Sequence, residues 1–241
     1  MSAMDATTEY FEQNTPVYSQ GRYAEVVAYL RKQAAEGASL LDVGCGSGNI
    51  LRLIADNTQI AELGGLDVSP NYLEQCAQAV PCETYLGSIL DDTLRTSVGR
   101  SYRYVLVGAV LHHLVGTTRR ASFEMARNGM ANAWQLVEAG GCLIVMEPTF
   151  RPRLVCTCLF HVKRFVSRFT RKRVSFAGRW NNLGEPIVSY FSHDELLVEL
   201  VHLPCATIAL DIRKRKARPV LWRVAGVTER SDSIIILRKT E

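Results

Sequence analysis

The chain has 241 residues, and 47% of them are hydrophobic and 22% charged, a composition typical of a soluble globular domain. The sequence has no run of about 18 uncharged apolar residues, so no membrane-spanning helix is predicted. The first residues do not have the pattern of a secretory signal. The seven cysteines are scattered without a CxxC pair, which argues against a disulfide framework or a structural zinc site. These features predict a cytoplasmic protein without a metal site.

The net charge of +4 is unevenly distributed along the chain. Residues 1–150 carry 10 Lys and Arg against 16 Asp and Glu, whereas residues 151–241 carry 18 against 8. An acidic first part followed by a basic second part indicates that the second part meets something anionic. A solvated basic surface is the equally good alternative.

Strand and helix patterns alternate between residues 40 and 148, which predicts a parallel sheet with helices on both faces. After Pro148 the alternation stops, and the final two strands are expected to pair antiparallel. The predicted strands lie at 40–43, 62–69, 82–88, within 102–114, and at 142–148, 205–212 and 233–239. The predicted helices lie at 5–14, 21–36, 49–57, from Pro70 onward, and at 119–138 and 192–201, the last of them with Ser192 as its cap.

A glycine-rich segment, LLDVGCGSGNI at 40–50, joins the first strand to the helix that follows it. Glycines at such a turn permit positive φ angles and let a ligand approach the backbone. Asp67 ends the second strand 19 residues beyond Gly48, where a carboxylate can accept hydrogen bonds from a ribose diol. A dinucleotide and S-adenosylmethionine both fit this arrangement, but a dinucleotide needs the spacing GxGxxG, and the spacing here is GxGxG.

Four segments in this order resemble class I S-adenosylmethionine-dependent methyltransferases of the small-molecule type. They are LLDVGCGSGNI (40–50), GLDVSPNYLEQC (65–76), LVGAVLHHL (106–114) and LVEAGGCLIVMEP (136–148). The resemblance implies S-adenosylmethionine as cofactor and a Rossmann-like, seven-stranded, mostly parallel sheet with an antiparallel final strand. It implies a single domain, with lid helices in 1–36, a cofactor-binding core in 37–148, a helical substrate cap in 149–190, and the last helix and strands in 191–241.

The resemblance also implies roles for individual residues in cofactor binding. Asp67 would bind the ribose hydroxyls, Val68 would pack on adenine, and Ile89 would stack on the ring. Ser88 stands where the family usually has an acid that binds the adenine amino group, and its hydroxyl would replace that acid only weakly. The methionine part of the cofactor would contact a second group of residues: Asp42, Gly44, Cys45, Gly46 and the backbone of Gly108 and Ala109. Tyr18 would contact the cofactor from the lid.

Three residues near the carboxyl ends of strands four and five are candidates for acceptor chemistry. His112 and His113 follow strand four, and a histidine near neutral pKa suits deprotonation of a hydroxyl. Glu147 ends strand five and is a candidate base or acceptor-orienting group. A structural role, or positioning of the cofactor, is the alternative for all three.

The basic, aromatic-rich segment 151–180 is expected to select the substrate. Segment 159–173 is predicted to be an amphipathic helix that either packs on the sheet as a cap or lies on an anionic membrane surface. Its apolar stripe is assigned to Leu159, Phe160, Val162, Phe165, Val166 and Phe169, and its charge to Lys163, Arg164, Arg168, Arg171, Lys172 and Arg173.

The sequence therefore predicts an enzyme that moves a methyl group to a small-molecule acceptor. The expected acceptor atom is an oxygen of a hydrophobic or anionic metabolite, such as a natural product, a quinone precursor or a lipid. The alternatives are an RNA methyltransferase that uses the basic part of the chain, and a non-catalytic cofactor-binding protein. Nucleic acid is the less favoured partner, because no motif for base methylation is present. The oligomeric state stays open.

Overall fold

The computed structural model of the protein describes residues 20–167, 174–175, 182–183, 187–218 and 220–240. Two 3₁₀ turns, Gln20–Arg22 and Leu111–His113, accompany the longer elements. The α-helices are α1 (Ala24–Gln33), α2 (Asn49–Asn57), α3 (Pro70–Ala79), α4 (Leu94–Val98), α5 (Arg119–Gln135), α6 (Arg153–Ser167), α7 (His193–Leu200) and α8 (Val220–Val224).

Seven strands form the central sheet, in the order β3-β2-β1-β4-β5-β9-β8. The strands are β1 (Ser39–Val43), β2 (Glu62–Asp67), β3 (Glu83–Leu86), β4 (Tyr102–Gly108), β5 (Val137–Arg151), β8 (Ala206–Arg215) and β9 (Glu229–Lys239). A separate two-stranded ladder joins β6 (Val174–Ser175) to β7 (Asn182–Leu183). Strands β1 to β5 pair in parallel, and β9 runs antiparallel to both of its neighbours. The predicted Rossmann-like sheet is confirmed.

The sheet separates two hydrophobic cores because alternate side chains of each strand point to opposite faces. On one face, Leu41 and Val43 pack with residues of α4, α5 and α7. On the other face, Leu40 packs with residues of α1, α2 and α3. All five residues of β1 are buried, as expected of a strand inside a parallel sheet that is covered on both sides.

The structure corrects the predicted bounds around β5. Helix α5 ends at Gln135 rather than Glu138, because Val137 already pairs with Tyr102 of β4. Strand β5 then continues to Arg151, because its antiparallel pairing with β9 extends to the partners Arg151 and Glu229. The predicted helix at 5–14 lies outside the described residues.

The apolar stripe predicted for the basic helix is also wrong in part. The buried face of α6 contains Cys156, Phe160 and Lys163, which are spaced at intervals of four and three residues. Val162 and Phe165 are 55% and 64% exposed, so two residues assigned to the packed stripe face outward. Arg168, Phe169 and the three cations at 171–173 lie outside the described residues.

A buried ion pair fixes the start of α7 against the start of α5. Arg119 donates two hydrogen bonds to the carboxylate of Glu195, with N···O distances of 2.7 and 2.9 Å. The same carboxylate accepts from the backbone N–H of Ser192, whose hydroxyl in turn accepts from the N–H of Glu195. Burial alone raises the pKa of Glu195, but the hydrogen bonds from Arg119 and Ser192 outweigh it and lower the pKa. The predicted cap at Ser192 is therefore present, as a complete capping box.

We expect Glu195→Gln to lower the free energy of unfolding by about 3 kcal/mol, because the substitution leaves the buried guanidinium of Arg119 without its counter-charge. The matched control is Glu124→Gln, which removes an exposed carboxylate paired with Arg120 one helical turn away and should cost less than about 0.5 kcal/mol. Urea unfolding followed by circular dichroism measures both values. Equal losses in the two variants would contradict the assignment.

Candidate active site

The glycine-rich loop lies where β1 ends, against the segment that follows β4. Gly44, Gly46 and Gly48 all have positive φ angles, of 76°, 52° and 78°. A Cβ atom on Gly44 would lie 2.5 Å from Cγ2 of Val110, so no larger residue fits there without displacement. The loop and the segment that follows β4 are thus packed directly on each other.

Asp67, at the end of β2, holds the loop in this conformation. Its Oδ2 accepts from the N–H of Gly46 at 2.9 Å, and its Oδ1 accepts from the N–H of Ser69 at 3.0 Å. Burial raises the pKa of Asp67, and the N–H groups of Ser69 and Gly46 partly offset that rise. Each carboxylate oxygen keeps a second lone pair for a ligand hydroxyl. Val68 is 41% exposed beside it and offers an apolar surface to a ring.

The other residues that are predicted to bind the cofactor differ in how deeply they are buried. Asp42 of β1 is 4% exposed, and burial raises the pKa of its carboxyl group well above the ordinary value. Ser88 is half-buried, and its hydroxyl accepts from the N–H of Leu90 at 3.2 Å. Ile89 is 4% exposed and packs against Gly129 of α5, so it lies in the core behind the crevice. Their roles toward a cofactor stay predictions.

The exit of β4 has a strained backbone. Ala109 has a φ of 59°, which is uncommon for a residue with a side chain, and its N–H donates to the carbonyl of Met146 on β5 at 2.7 Å. Gly108 precedes it, and a Cβ there would lie 2.6 Å from Oη of the buried Tyr23. The N-terminal segment thus reaches the site through Tyr23, whereas the lid residue predicted from the sequence, Tyr18, lies outside the described residues.

The three candidates for acceptor chemistry come together at one place. Nδ1 of His112 lies 2.7 Å from Oε2 of Glu147, and Oε1 of Glu147 accepts from the N–H of Leu111 at 2.6 Å. The ring centroids of His112 and His113 are 4.0 Å apart. Glu147 is fully buried, and His112 is 7% exposed.

Burial changes the ionisation of this pair. It raises the pKa of Glu147 to about 7 and lowers the pKa of His112 to about 3. Two nearby cations, Arg22 and Lys163, lower the pKa of His112 further. His113 likewise has a pKa well below its ordinary value because of burial and the neighbouring His112. Both imidazoles are therefore neutral and only weakly basic at pH 7, and Glu147 is the more basic group of the three.

Further residues around the pair escaped the sequence analysis. The ring of Tyr190 stacks on His112 with centroids 5.3 Å apart, and the N–H of Ser189 donates to the carbonyl of His112. Arg22 lies 3.5 Å from the buried Asp232 of β9. Lys163 was assigned from the sequence to the charged side of the basic helix, whereas its spacing from Cys156 and Phe160 places it on the buried face. Within the described ranges, no group of three or more His, Cys, Asp or Glu side chains could hold a metal ion.

Comparison with known proteins agrees with this arrangement. Residues 41–143, which contain the glycine-rich loop, Asp67 and both histidines, match a family model described as a methyltransferase domain. The matched part is less than half of the chain, and the mixed, mostly parallel sheet has the Rossmann-like methyltransferase fold that the sequence predicted.

Two curated proteins and one solved structure illustrate the similarity. Trans-aconitate 2-methyltransferase of Streptomyces avermitilis is 38% identical over 55 residues, which are 23% of this chain and 20% of that protein. (S)-tetrahydroprotoberberine N-methyltransferase of Eschscholzia californica is 28% identical over 109 residues, 44% of this chain and 31% of that protein. The chain thus matches less than a third of the length of either one.

The structure of magnesium protoporphyrin IX methyltransferase from Synechocystis PCC 6803 with bound SAH superposes with a TM-score of 0.64 at 16% identity. The superposition covers 99% of this chain and 100% of that chain. At 16% identity this similarity concerns the fold alone.

The ionisation of Glu147 predicts how stability depends on pH. Because its pKa is about 7 in the folded protein and near 4.5 in the unfolded chain, its favourable contribution is full below pH 4.5 and is lost as the pH rises through 7. Glu147→Gln removes this dependence. Relative to the wild type, the variant should gain up to about 3 kcal/mol between pH 4.5 and 7.

His112 contributes in the opposite sense. Its pKa is lowered in the folded protein, so its stabilising contribution is present above pH 6.5 and is lost as the pH falls below that value. Because Nδ1 of His112 contacts Glu147 directly, the substitution alters this contribution too, and the measured difference belongs to the pair. Urea unfolding of the two proteins at half-unit pH intervals measures it. A difference that stays constant with pH would show that Glu147 is not held in its protonated form.

Proposed function

We propose that the protein is an S-adenosylmethionine-dependent methyltransferase that acts on a small-molecule acceptor. The observation that carries the proposal is the convergence of three features at one sheet edge: the glycine-rich loop, the carboxylate of Asp67, and the strained exit of β4 at Ala109. The match of residues 41–143 to the methyltransferase domain supports the same conclusion.

The residues at this edge suit the cofactor. The glycines hold the loop in its tight, positive-φ conformation, Asp67 supplies lone pairs for ribose hydroxyls, and the exposed Val68 supplies an apolar face for adenine. When bound, S-adenosylmethionine supplies the electrophilic methyl carbon, so the protein contributes mainly alignment and exclusion of water.

We assign the acceptor to the region next to His112, His113 and Glu147, and the expected acceptor atom is a hydroxyl oxygen. Such an oxygen must lose a proton as it is methylated, and ionised Glu147, whose pKa is about 7, is the group of the pair that can hold that proton at neutral pH. When Glu147 is ionised, Nδ1–H of His112 donates to it, so Nε2 can accept the proton of the acceptor while Nδ1 passes its own proton to Glu147. His113, 4.0 Å away, is the second candidate base.

Asp67→Ala should weaken binding of S-adenosylhomocysteine at least about 10-fold, because two charge-assisted hydrogen bonds to the ribose are lost. Calorimetry measures the affinity, and Asp56→Ala, which removes an exposed carboxylate on α2, is the matched control. Asp67→Asn tests whether the loop itself has collapsed, because the amide oxygen can still accept from Gly46. Wild-type affinity in Asp67→Ala would exclude the assigned site.

Turnover tests the activity itself. The protein is incubated with S-adenosylmethionine and a metabolite extract, and S-adenosylhomocysteine is quantified against Asp67→Ala. Formation that depends on extract and on Asp67 supports methyl transfer. Turnover that requires intact RNA in the extract would favour the RNA methyltransferase, and binding of the cofactor without turnover would favour the non-catalytic alternative.

Contact with a membrane surface through α6 is a second proposal, and it refines the predicted lipid contact of segment 159–173. Leu154, Val162 and Phe165 on α6 are 71%, 55% and 64% exposed, and residues 151–167 contain four Lys or Arg and no Asp or Glu. An exposed apolar face flanked by cations suits an anionic interface. None of the helices in the described ranges is long and apolar enough to cross a membrane.

The protein should sediment with vesicles in which about one lipid in three is the anionic phosphatidylglycerol. Salt at about 0.5 M should release the protein from these vesicles, because it screens the charges. The double substitution Val162→Ser and Phe165→Ser should abolish sedimentation. Val198→Ser with Val201→Ser removes equally exposed apolar side chains outside α6 and is the control. Equal sedimentation of both double variants would assign the binding to another surface.

A further inference from the structure

Two cysteine thiols lie within hydrogen-bonding distance of each other close to the glycine-rich loop. Sγ of Cys76, in the second half of α3, is 3.6 Å from Sγ of Cys82, and either thiol can be the donor. The chain between them turns at the end of α3, where the N–H of Val80 donates to the carbonyl of Cys76 at 3.1 Å. Both cysteines are free thiols. The turn thus holds two sulfur atoms next to each other without a bond between them.

The two thiols differ in burial and in ionisation. Cys76 is fully buried, whereas Cys82 is half-buried and in contact with solvent. Hydrogen bonds with the thiols of Cys45 and Cys82 lower the pKa of the Cys76 thiol to about 7, against the opposing effect of burial. Burial raises the pKa of the Cys82 thiol to about 12, so Cys82 stays protonated. Cys76 is therefore the sulfur of the pair that carries negative charge near neutral pH, and the thiolate is the form that oxidants attack.

The sulfur of Cys76 also supports the glycine-rich loop from behind. A Cβ atom on Gly48, the last glycine of the loop, would lie 2.8 Å from Sγ and 3.1 Å from Cα of Cys76. A Cβ atom on Gly65 of β2, two residues before Asp67, would lie 3.3 Å from the same sulfur and 2.8 Å from Sγ of Cys45. The loop and β2 are thus both packed on Cys76, and a displacement of its sulfur must change that packing.

We infer that Cys76 and Cys82 are a modification site at which a peroxide forms a reversible disulfide, and that this bond weakens cofactor binding at the glycine-rich loop. The first half of the inference depends on the two sulfur atoms alone. The second half rests on the proposed function, because it requires that the loop binds S-adenosylmethionine.

The reaction is a two-electron oxidation of the pair by hydrogen peroxide. The peroxide is close to water in size and reaches Cys76 from the side of the half-buried Cys82. The Cys76 thiolate attacks one peroxide oxygen, the O–O bond breaks, and hydroxide leaves, which makes a sulfenic acid on Cys76. The sulfur of Cys82 then attacks the sulfenic sulfur, and its proton leaves with the hydroxyl group as water. Two thiols and one peroxide thereby give one disulfide and two water molecules.

The new bond cannot form without a change at the loop. A disulfide bond is about 2.05 Å long, so the two sulfurs must approach each other by about 1.5 Å from their present separation. Part of this movement falls on Cys76, whose sulfur fills the space against Gly48 and Gly65. A thiol reductant reverses the bond and restores the packing.

The test measures the bond and the cofactor affinity separately. Reduced protein is treated with hydrogen peroxide, alkylated with iodoacetamide and digested with trypsin. The tryptic peptide 53–95 contains Cys76 and Cys82 and no other cysteine, so its mass reports this pair alone. Calorimetry of the undigested samples gives the affinity for S-adenosylhomocysteine. The proteins are the wild type, Cys82→Ser and the matched control Cys205→Ser, which removes an exposed cysteine outside the pair.

Peroxide should give the wild type and Cys205→Ser a peptide 53–95 that lacks two hydrogen atoms and carries no alkyl group. The same treatment should weaken S-adenosylhomocysteine binding at least about 5-fold, on the scale of coupling between neighbouring sites. Dithiothreitol should restore both the alkylation and the affinity, which tests the inference without any substitution. Cys82→Ser should form no disulfide and should keep the wild-type affinity with and without peroxide.

Three results would count against the inference in different ways. A peptide 53–95 that still takes two alkyl groups after peroxide would overturn it and leave the proposed methyl transfer intact. A disulfide with unchanged affinity, or an equal loss of affinity in Cys82→Ser, would overturn the link between the bond and the cofactor. Failure of the reduced wild type to bind S-adenosylhomocysteine would overturn the proposed function and that link with it, and the mass of the peptide would still decide the modification site.

Discussion

The contact between the glycine-rich loop and the exit of β4 is the constraint on which the site depends. Val110 occupies the space that a side chain on Gly44 would need, so the two segments approach as closely as their backbones allow. Asp67 then holds the loop from the side of β2 through the N–H of Gly46. The ends of β1, β2 and β4 are thereby held together.

The buried pair of His112 and Glu147 extends this rigidity from β4 to β5. A carboxyl group with no exposure is costly to bury unless its oxygens are hydrogen-bonded, and both oxygens of Glu147 are used, one by the N–H of Leu111 and one by the imidazole. The same two bonds fix the ring of His112 at the edge of the crevice. A structural and a chemical role for this pair are therefore compatible, because orienting the ring serves both.

The glycine-rich loop and Asp67 of the candidate site could be predicted from the sequence far better than the partnership of His112 with Glu147. The loop and Asp67 are local signals: a glycine pattern after a strand, and an acid at a fixed distance from it. The partnership of His112 with Glu147 joins residues 35 positions apart, and it follows only once β4 and β5 are known to be neighbours. The predicted end of α5 at Glu138 is wrong for a related reason, since the pairing of Val137 with Tyr102 overrides the helical pattern.

Helix α6 shows why amphipathic patterns fail at a functional surface. Periodicity assigns apolar residues inward and charged residues outward, and that rule holds only where the helix covers a plain hydrophobic core. Here the helix covers a region that already contains imidazoles and a carboxyl group, so burial of Lys163 meets a polar environment and is less costly than it would be in a hydrocarbon core. The exposed Val162 and Phe165 are the geometric consequence, because a helix that turns Lys163 inward must turn its neighbours outward. The inner face of α6 thus combines the apolar Cys156 and Phe160 with Lys163, a mixture that periodicity alone does not predict.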